Sequence, residues 1–257
     1  MSIIRIVDGA IEKMNRSRAP RFDADRRNVA IQDAVRKFIN ERHASFREKN
    51  KSYELTQRIK DDLRLITRIN DTLIFSPTQF TLPSDYDHEL GLELLLDGIW
   101  TASDPTTQSE RQVMNKNFHT RGSMDSPFHY LAGNTVFFDH GPNGTVTQIR
   151  YTYTTIYPYP YVTDTVISAS GGLTIGKKYG VLRGNPVVHD TITYTYGEVF
   201  TATLGSITGT GTVIECEEIL LPFHTHMEVQ KMMAAELSET VENYSRKKSL
   251  EGEMERQ

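Results

Sequence analysis

Apolar residues near the two ends of the chain recur with the helical period. From Asp25 onward, Ile31, Ala34, Val35, Phe38 and Ile39 are spaced by three and four residues with Arg27, Asp33, Arg36 and Lys37 between them. That spacing predicts an amphipathic helix to about Ser45. The polar residues 47–52 should turn the chain, and Leu55, Ile59, Leu63 and Ile66 then mark a second stripe, so the pair reads as a helical hairpin. Val229, Met233, Leu237, Thr240 and Tyr244 are spaced by four, four, three and four residues, a narrow seam suited to packing on another helix. Ahead of all this, Ile3, Ile4, Ile6 and Val7 form a short apolar patch before Gly9, and with the basic residues 16–21 they read as an extended arm.

Pro83 divides the pattern. It removes a backbone donor and pushes Leu82 toward extended geometry, so a helix should not cross this point. The chain before it reads as helix and nearly all after it as sheet. Residues 88–96 carry five leucines and read as a buried short helix or strand, and residues 108–117 as a brief helix with Val113 and Met114 inside. Strand alternation follows at 135–138 and 146–153, with Asn143-Gly144 between them as a hairpin signal. Further strands are expected at 164–167, 180–182 and 213–216, and a pair at 191–196 and 199–202 turned at Gly197. Closely spaced antiparallel strands of this kind pack as a small sandwich or barrel.

These elements predict an α+β protein: a helical bundle from the N- and C-terminal segments with an inserted antiparallel β-sandwich or barrel domain. The expected boundaries are an arm at 1–22, a helical domain at 23–96 plus 223–247, a β domain at 97–222 and a flexible tail at 248–257. At 257 residues the chain is long enough to bury a sizeable core.

Charge adds an asymmetry. The net charge of −4 combines a first 70 residues holding 17 Lys/Arg against 10 Asp/Glu with a remainder holding 12 against 23. A basic helical end and an acidic sheet end make an electrically polar molecule. The tyrosine-rich part is the acidic part, which argues against sequence-specific nucleic-acid binding. No apolar run reaches a spanning length, and the first 20 residues carry too many charges for a signal peptide, so a soluble protein is expected. The single cysteine, Cys216, rules out an intramolecular disulfide and sits in an alternating strand-like run.

The candidate catalytic and cofactor motifs each lack a required part. Gly171-x4-Gly176-Lys177 has phosphate-loop spacing, but Lys178 stands where a hydroxyl should reach magnesium, and a strand rather than a helix should follow. His224-Thr225-His226 offers two imidazoles that would diverge at a helix start, with no third ligand. The carboxylate pairs Asp85/Asp87 and Glu217/Glu218 would serve acid/base work only in a shared cleft. No enzyme activity, cofactor or metal is therefore expected. A row of tyrosines, Tyr151, Tyr153, Tyr157, Tyr159 and Tyr161, suggests as an alternative a carbohydrate-binding module that stacks sugars, as in a phage tail or secreted protein.

Several short motifs occur in an order that carries a resemblance. They are Phe80-x-Leu82-Pro83-x-Asp85-Tyr86, Ser126-Pro127-Phe128-His129-Tyr130, Tyr196-Gly197-Glu198-Val199-Phe200, Gly209-Thr210-Gly211, and residues 221–228 opening the C-terminal helix. Together they resemble the head-to-tail connector, or ring, proteins of tailed bacteriophages, with the nearest likeness among the crAss-like phages of Bacteroidetes. The resemblance implies a structural virion protein, made in the cytoplasm of the bacterial host and placed in the portal-tail region. Its implied partners are further copies of itself in a ring, a dodecamer, together with the portal protein, other ring or tail proteins, and DNA passing through the lumen without sequence-specific binding. No membrane is involved. Phe80, Leu82, Asp85, Tyr86, Tyr151, Tyr153, Tyr159 and Tyr196 are the implied interface residues.

Overall fold

The computed structural model describes residues 3–14, 22–47, 53–114, 122–142, 144–156, 160–168, 172–219 and 221–254. In chain order the elements are α1 (Ile3–Met14), α2 (Ala24–Arg47), α3 (Tyr53–Leu63), β1 (Thr67–Asn70), β2 (Phe75–Ser76), β3 (Gln79–Thr81), β4 (Tyr86–Leu96) and β5 (Ile99–Pro105). They continue with α4 (Gln108–Met114), β6 (Phe128–Ala132), β7 (Thr135–Asp139), β8 (Val146–Thr155), β9 (Val162–Ile167), β10 (Lys178–Val181) and β11 (Val187–His189). The last are β12 (Ile192–Tyr194), β13 (Val199–Thr201), β14 (Thr208–Gly209), β15 (Val213–Cys216), a 3-10 turn (Phe223–Thr225) and α5 (His226–Met254). The protein is thus mixed α and β. It divides into two compact units, one of residues 1–65 with 158–257 and one of residues 66–157.

In the first unit, α1 and α2 pack against α5, and α3 packs on α2. The α2 stripe is buried as its period predicts, through Ala30, Ile31, Ala34, Val35, Phe38 and Ile39. Asp23 caps this helix, its Oδ1 accepting the Arg26 N–H at 2.9 Å. The α5 seam is buried at Val229, Met233 and Leu237, whereas Thr240 is exposed. Residues 3–14 are a helix instead of an extended arm. Ile3, Ile4, Ile6, Val7 and Ala10 fall on one face and are all buried, and that burial offsets the cost of ordering so short a helix. Its approach to α5 is close, since a Cβ on Gly9 would lie 1.6 Å from Gln230 Nε2. The expected tail at 248–257 is likewise helical as far as Met254, where Lys247, Lys248, Leu250 and Glu251 are good helix formers.

The same unit holds a four-stranded sheet, β13-β10-β15-β9, and a three-stranded sheet, β12-β11-β14. Leu173, Tyr179, Val181, Val187, Phe200 and Val213 are in their shared core. Strand β9 is an edge, and α2 lies against it. The Asn28 side chain accepts the Val162 N–H at 2.7 Å and donates to the Val162 carbonyl at 3.0 Å, the pair of bonds a neighbouring strand would make. The expected pairing of 191–196 with 199–202 does not occur. Gly197, at φ +79°, does turn the chain, but β12 pairs with β11 and β13 with β10, so the turn passes between sheets. The β11–β12 hairpin closes through Asp190 and Thr191 at φ +49° and +68°. Thr191 is β-branched in a conformation that suits glycine or asparagine. Thr191→Gly is therefore expected to raise stability, by up to about 1 kcal/mol after the added chain entropy of glycine, measurable as a shift in the urea midpoint.

The second unit is built on an eight-stranded sheet in the order β1-β8-β4-β5-β6-β7-β3-β2. Strand β5 belongs to both halves: Ile99–Ser103 run antiparallel to β4, whereas Asp104 and Pro105 pair in parallel with β6. The sheet curls there, so that β4 and β8 share one core with β3 and β7: Phe80, Leu82, Leu92, Leu94, Leu96, Val136, Phe138, Ile149, Tyr151 and Tyr153. Sheet therefore begins at Thr67, upstream of Pro83, and the expected boundary between helix and sheet moves with it: 66–96 leave the helical domain. The β domain expected at 97–222 also divides, its part from residue 158 onward lying in the first unit.

Residues 88–96 are strand, as part of β4. Its hairpin with β5 is closed by Asp97 and Gly98 at φ +48° and +87°, an Asp-Gly pair that suits a two-residue turn. The expected hairpin between β7 and β8 is absent; Asn143 lies outside the described residues. Strand β8 pairs instead with β1 and with the long β4, which offers it the larger apolar face. Thr107 and Glu110 cap α4 reciprocally: Thr107 Oγ1 accepts the Glu110 N–H at 3.2 Å, and Glu110 Oε2 accepts the Thr107 N–H at 2.9 Å.

Candidate functional site

Four of the eight residues expected at an interface are interior. Phe80, Leu82, Tyr151 and Tyr153 are all buried in the core of the curled sheet. The Phe80 and Tyr151 rings meet edge to face at 5.1 Å, and Tyr86 stacks on Tyr151 at 6.1 Å. The reason is strand parity: Tyr151 and Tyr153 lie two apart on the face of β8 that also carries Ile149. Asp85 and Tyr86 lie half-buried at the rim of this core. Asp85 Oδ2 accepts from Arg68 Nη1 at 2.6 Å, and its Oδ1 accepts from the Tyr153 hydroxyl at 3.0 Å. Burial, helped by the Asp85 carboxylate, raises the Tyr153 hydroxyl above its ordinary pKa. Asp87 turns to His88, 3.0 Å from Nδ1, so each carboxylate of this pair has its own partner.

Tyr196 holds the chain to itself. Its hydroxyl donates to Asp8 Oδ2 at 2.7 Å, its carbonyl accepts from Arg5 Nε at 3.1 Å, and Arg5 and Arg183 each lie 5.5 Å from its ring. Burial first, and the Asp8 carboxylate second, push its hydroxyl up to about 12. It therefore stays protonated and clasps α1. Tyr159, like Tyr157, lies outside the described residues. With Tyr151 and Tyr153 pointing inward and the Tyr161 hydroxyl donating to Glu215 at 2.8 Å, the described tyrosines do not form the stacking surface a carbohydrate-binding module would need.

The phosphate-loop spacing also resolves into structure: Gly176, at φ +89°, turns the chain into β10, where the motif would need a helix. His224 and His226 diverge. His224 Nε2 faces Asp62 Oδ1 at 2.7 Å, and His226 Nε2 donates to the Leu221 carbonyl at 2.8 Å. Asp62, on α3, is almost fully buried and also accepts from Arg42 Nε at 2.7 Å. Arg42, over the Phe38 ring at 4.7 Å, reaches on to Glu228. This network ties α2, α3 and α5 together. Cys216 is buried, and burial, with Glu218 and Glu217 next, pushes its thiol up to about 12. Native protein at pH 8 is expected to leave a chromogenic disulfide reagent unreacted until urea unfolds it; a native-state colour change would contradict this placement.

The sequence did not reveal one buried polar group that the second unit assembles from three strands. Glu89 on β4, Ser103 on β5 and His129 on β6 form one buried chain, with relative exposures of 8%, 6% and 1%. His129 Nδ1 lies 2.9 Å from Ser103 Oγ, and its Nε2 bonds Glu89. The residue types are those of a nucleophile, a base and an orienting acid. The serine, however, is buried on β5 at the point opposite Leu92, with only 6% of its surface exposed. The only signal lay in spacing across three strands, which no local motif encodes.

Among the described residues there is no cluster of three or more metal-ligating side chains, and no helix long and apolar enough to cross a membrane. No protein-family model matches the chain, and no curated protein matches it in sequence.

Proposed function

We propose that the protein is a structural virion component: a subunit of a ring in the portal-to-tail connector, which joins the capsid portal to the tail and forms part of the genome passage. The order of the short motifs along the chain supplies the reading. The observation that carries it furthest is the division of the chain, with helices from both ends packed in one unit and a β-rich insertion in the other. In this reading the helices act as a bundle forming the ring wall, and the inserted β-sandwich meets the adjoining tail component. Small contacts per subunit suffice, because a closed ring repeats each one at high effective concentration.

The burial of Phe80, Leu82, Tyr151 and Tyr153 moves the contact surface onto residues that are exposed. Among the described residues, Ile74, at 95% exposure, and Phe223, at 72%, are the most exposed large apolar side chains of their respective units. Ile74→Asp and Phe223→Asp are each expected to leave stability within about 0.5 kcal/mol of wild type while lowering the ring fraction seen by mass photometry.

Electron cryomicroscopy of the purified chain mixed with the portal tests the proposal directly. A ring of twelve copies stacked on the portal is expected. A strictly monomeric particle, at high protein concentration and with the portal present, would overturn it.

A further inference from the structure

Strand β4 carries two hydrophobic patterns, and the structure uses the one the sequence disfavours. Leu90, Leu92, Leu94 and Leu96 alternate, so an unbroken strand would turn all four toward the core. Leu92, Leu94 and Leu96 do face it. Leu90 does not. The pairing with β8 runs Leu92↔Tyr151 and Gly91↔Thr152, then jumps to Glu89↔Tyr153, leaving Leu90 as an extra residue in a bulge. Across the bulge the parity flips, and Glu89 takes the inward place with 8% exposure, while Leu90 is only half-buried. A carboxylate has displaced a leucine from the interior.

Such an exchange is unfavourable unless the carboxylate is fully engaged. Here Glu89 bonds His129, which in turn meets Ser103, and the chain of bonds spans β4, β5 and β6 where β5 changes partner. We propose that β4 is a two-register strand, held in its bulged register by the Glu89–His129–Ser103 chain. Without that chain it slips to the straight register, with Leu90 opposite Tyr153 and Glu89 opposite Thr154, in the half-buried place His88 now holds. The slip does not stay local. A further irregularity, between Tyr86 and His88, lies just upstream at the start of β4. Straightening would therefore slide Tyr86 along β8 and pull Asp85 from Arg68 and the Tyr153 hydroxyl. The interior chain and the rim at Asp85 are two ends of one switch. The inference rests on register alone and is independent of the connector reading.

The test is cross-strand nuclear Overhauser contacts in the full chain. In the native protein Glu89 is opposite Tyr153. In His129→Leu the contact is expected to move by one residue, to Leu90 opposite Tyr153, with loss of the Tyr86–Thr155 pairing. Glu89→Gln, which can still bond His129, is expected to keep the native register. A folded His129→Leu protein with Glu89 still opposite Tyr153 would overturn the proposal. So would an unfolded one, since a second register should receive the strand, and so would a shifted register in Glu89→Gln.

Discussion

Replacing Arg42 by Met is expected to lower unfolding stability by about 3–5 kcal/mol, the range for removing one partner of a buried ion pair. Asp62 is the reason. Its side chain keeps only 3% of its surface in water, and its two oxygens are divided between Arg42 Nε and His224 Nε2. Without the guanidinium, one oxygen of a buried carboxylate has lost its donor, and His224, 57% exposed, cannot cover both. The Arg42 stem also packs over Phe38, so some loss comes from packing. Urea unfolding followed by far-ultraviolet circular dichroism measures the total. Adding Asp62→Leu to Arg42→Met removes the orphaned charge, and part of the lost stability should return. A fall of less than about 1 kcal/mol for Arg42→Met, the scale of an exposed pair, would show that water reaches Asp62 freely.

The second large effect is at Tyr151. Truncation to Ala is expected to cost about 3–5 kcal/mol, as for other large core aromatics. Tyr151 has no exposed surface and touches Phe80, Tyr86 and Tyr153, so its loss opens a void at the centre of the curled sheet. The measurement also separates two roles for this residue. A core residue changes the urea midpoint of the isolated chain; a contact residue between copies would leave it unchanged and alter only assembly. A stable Tyr151→Ala monomer would return Tyr151 to the surface.

The helices were legible because their signal is local and repeats: Ile31 to Phe38 on α2 and Val229 to Leu237 on α5 are buried as their spacing predicts. The first helix was equally legible: Ile3, Ile4, Val7, Ala10 and Ile11 keep the helical spacing across Gly9, a residue that weakens a helix by about 1 kcal/mol without ending it. Sheet pairing was the least legible. Asn143-Gly144 is a strong local turn signal that lost to the longer β4, whereas Asp97-Gly98, equally local, closes a true hairpin. Which turn signal prevails depends on strands far away in sequence. The tyrosines failed for a related reason: alternation shows that Tyr151 and Tyr153 share a face, but not whether that face is wet. The site residues Glu89, Ser103 and His129 come from three strands and could be assembled only by the fold.

The side chain of Asn28 has a consequence beyond the stability of α2. By satisfying both polar groups of Val162, it occupies hydrogen-bonding positions on a sheet margin that would otherwise accept a strand from another molecule. Loss of this amide should show first as slow fibre formation in concentrated stocks, well before any change in the folded monomer.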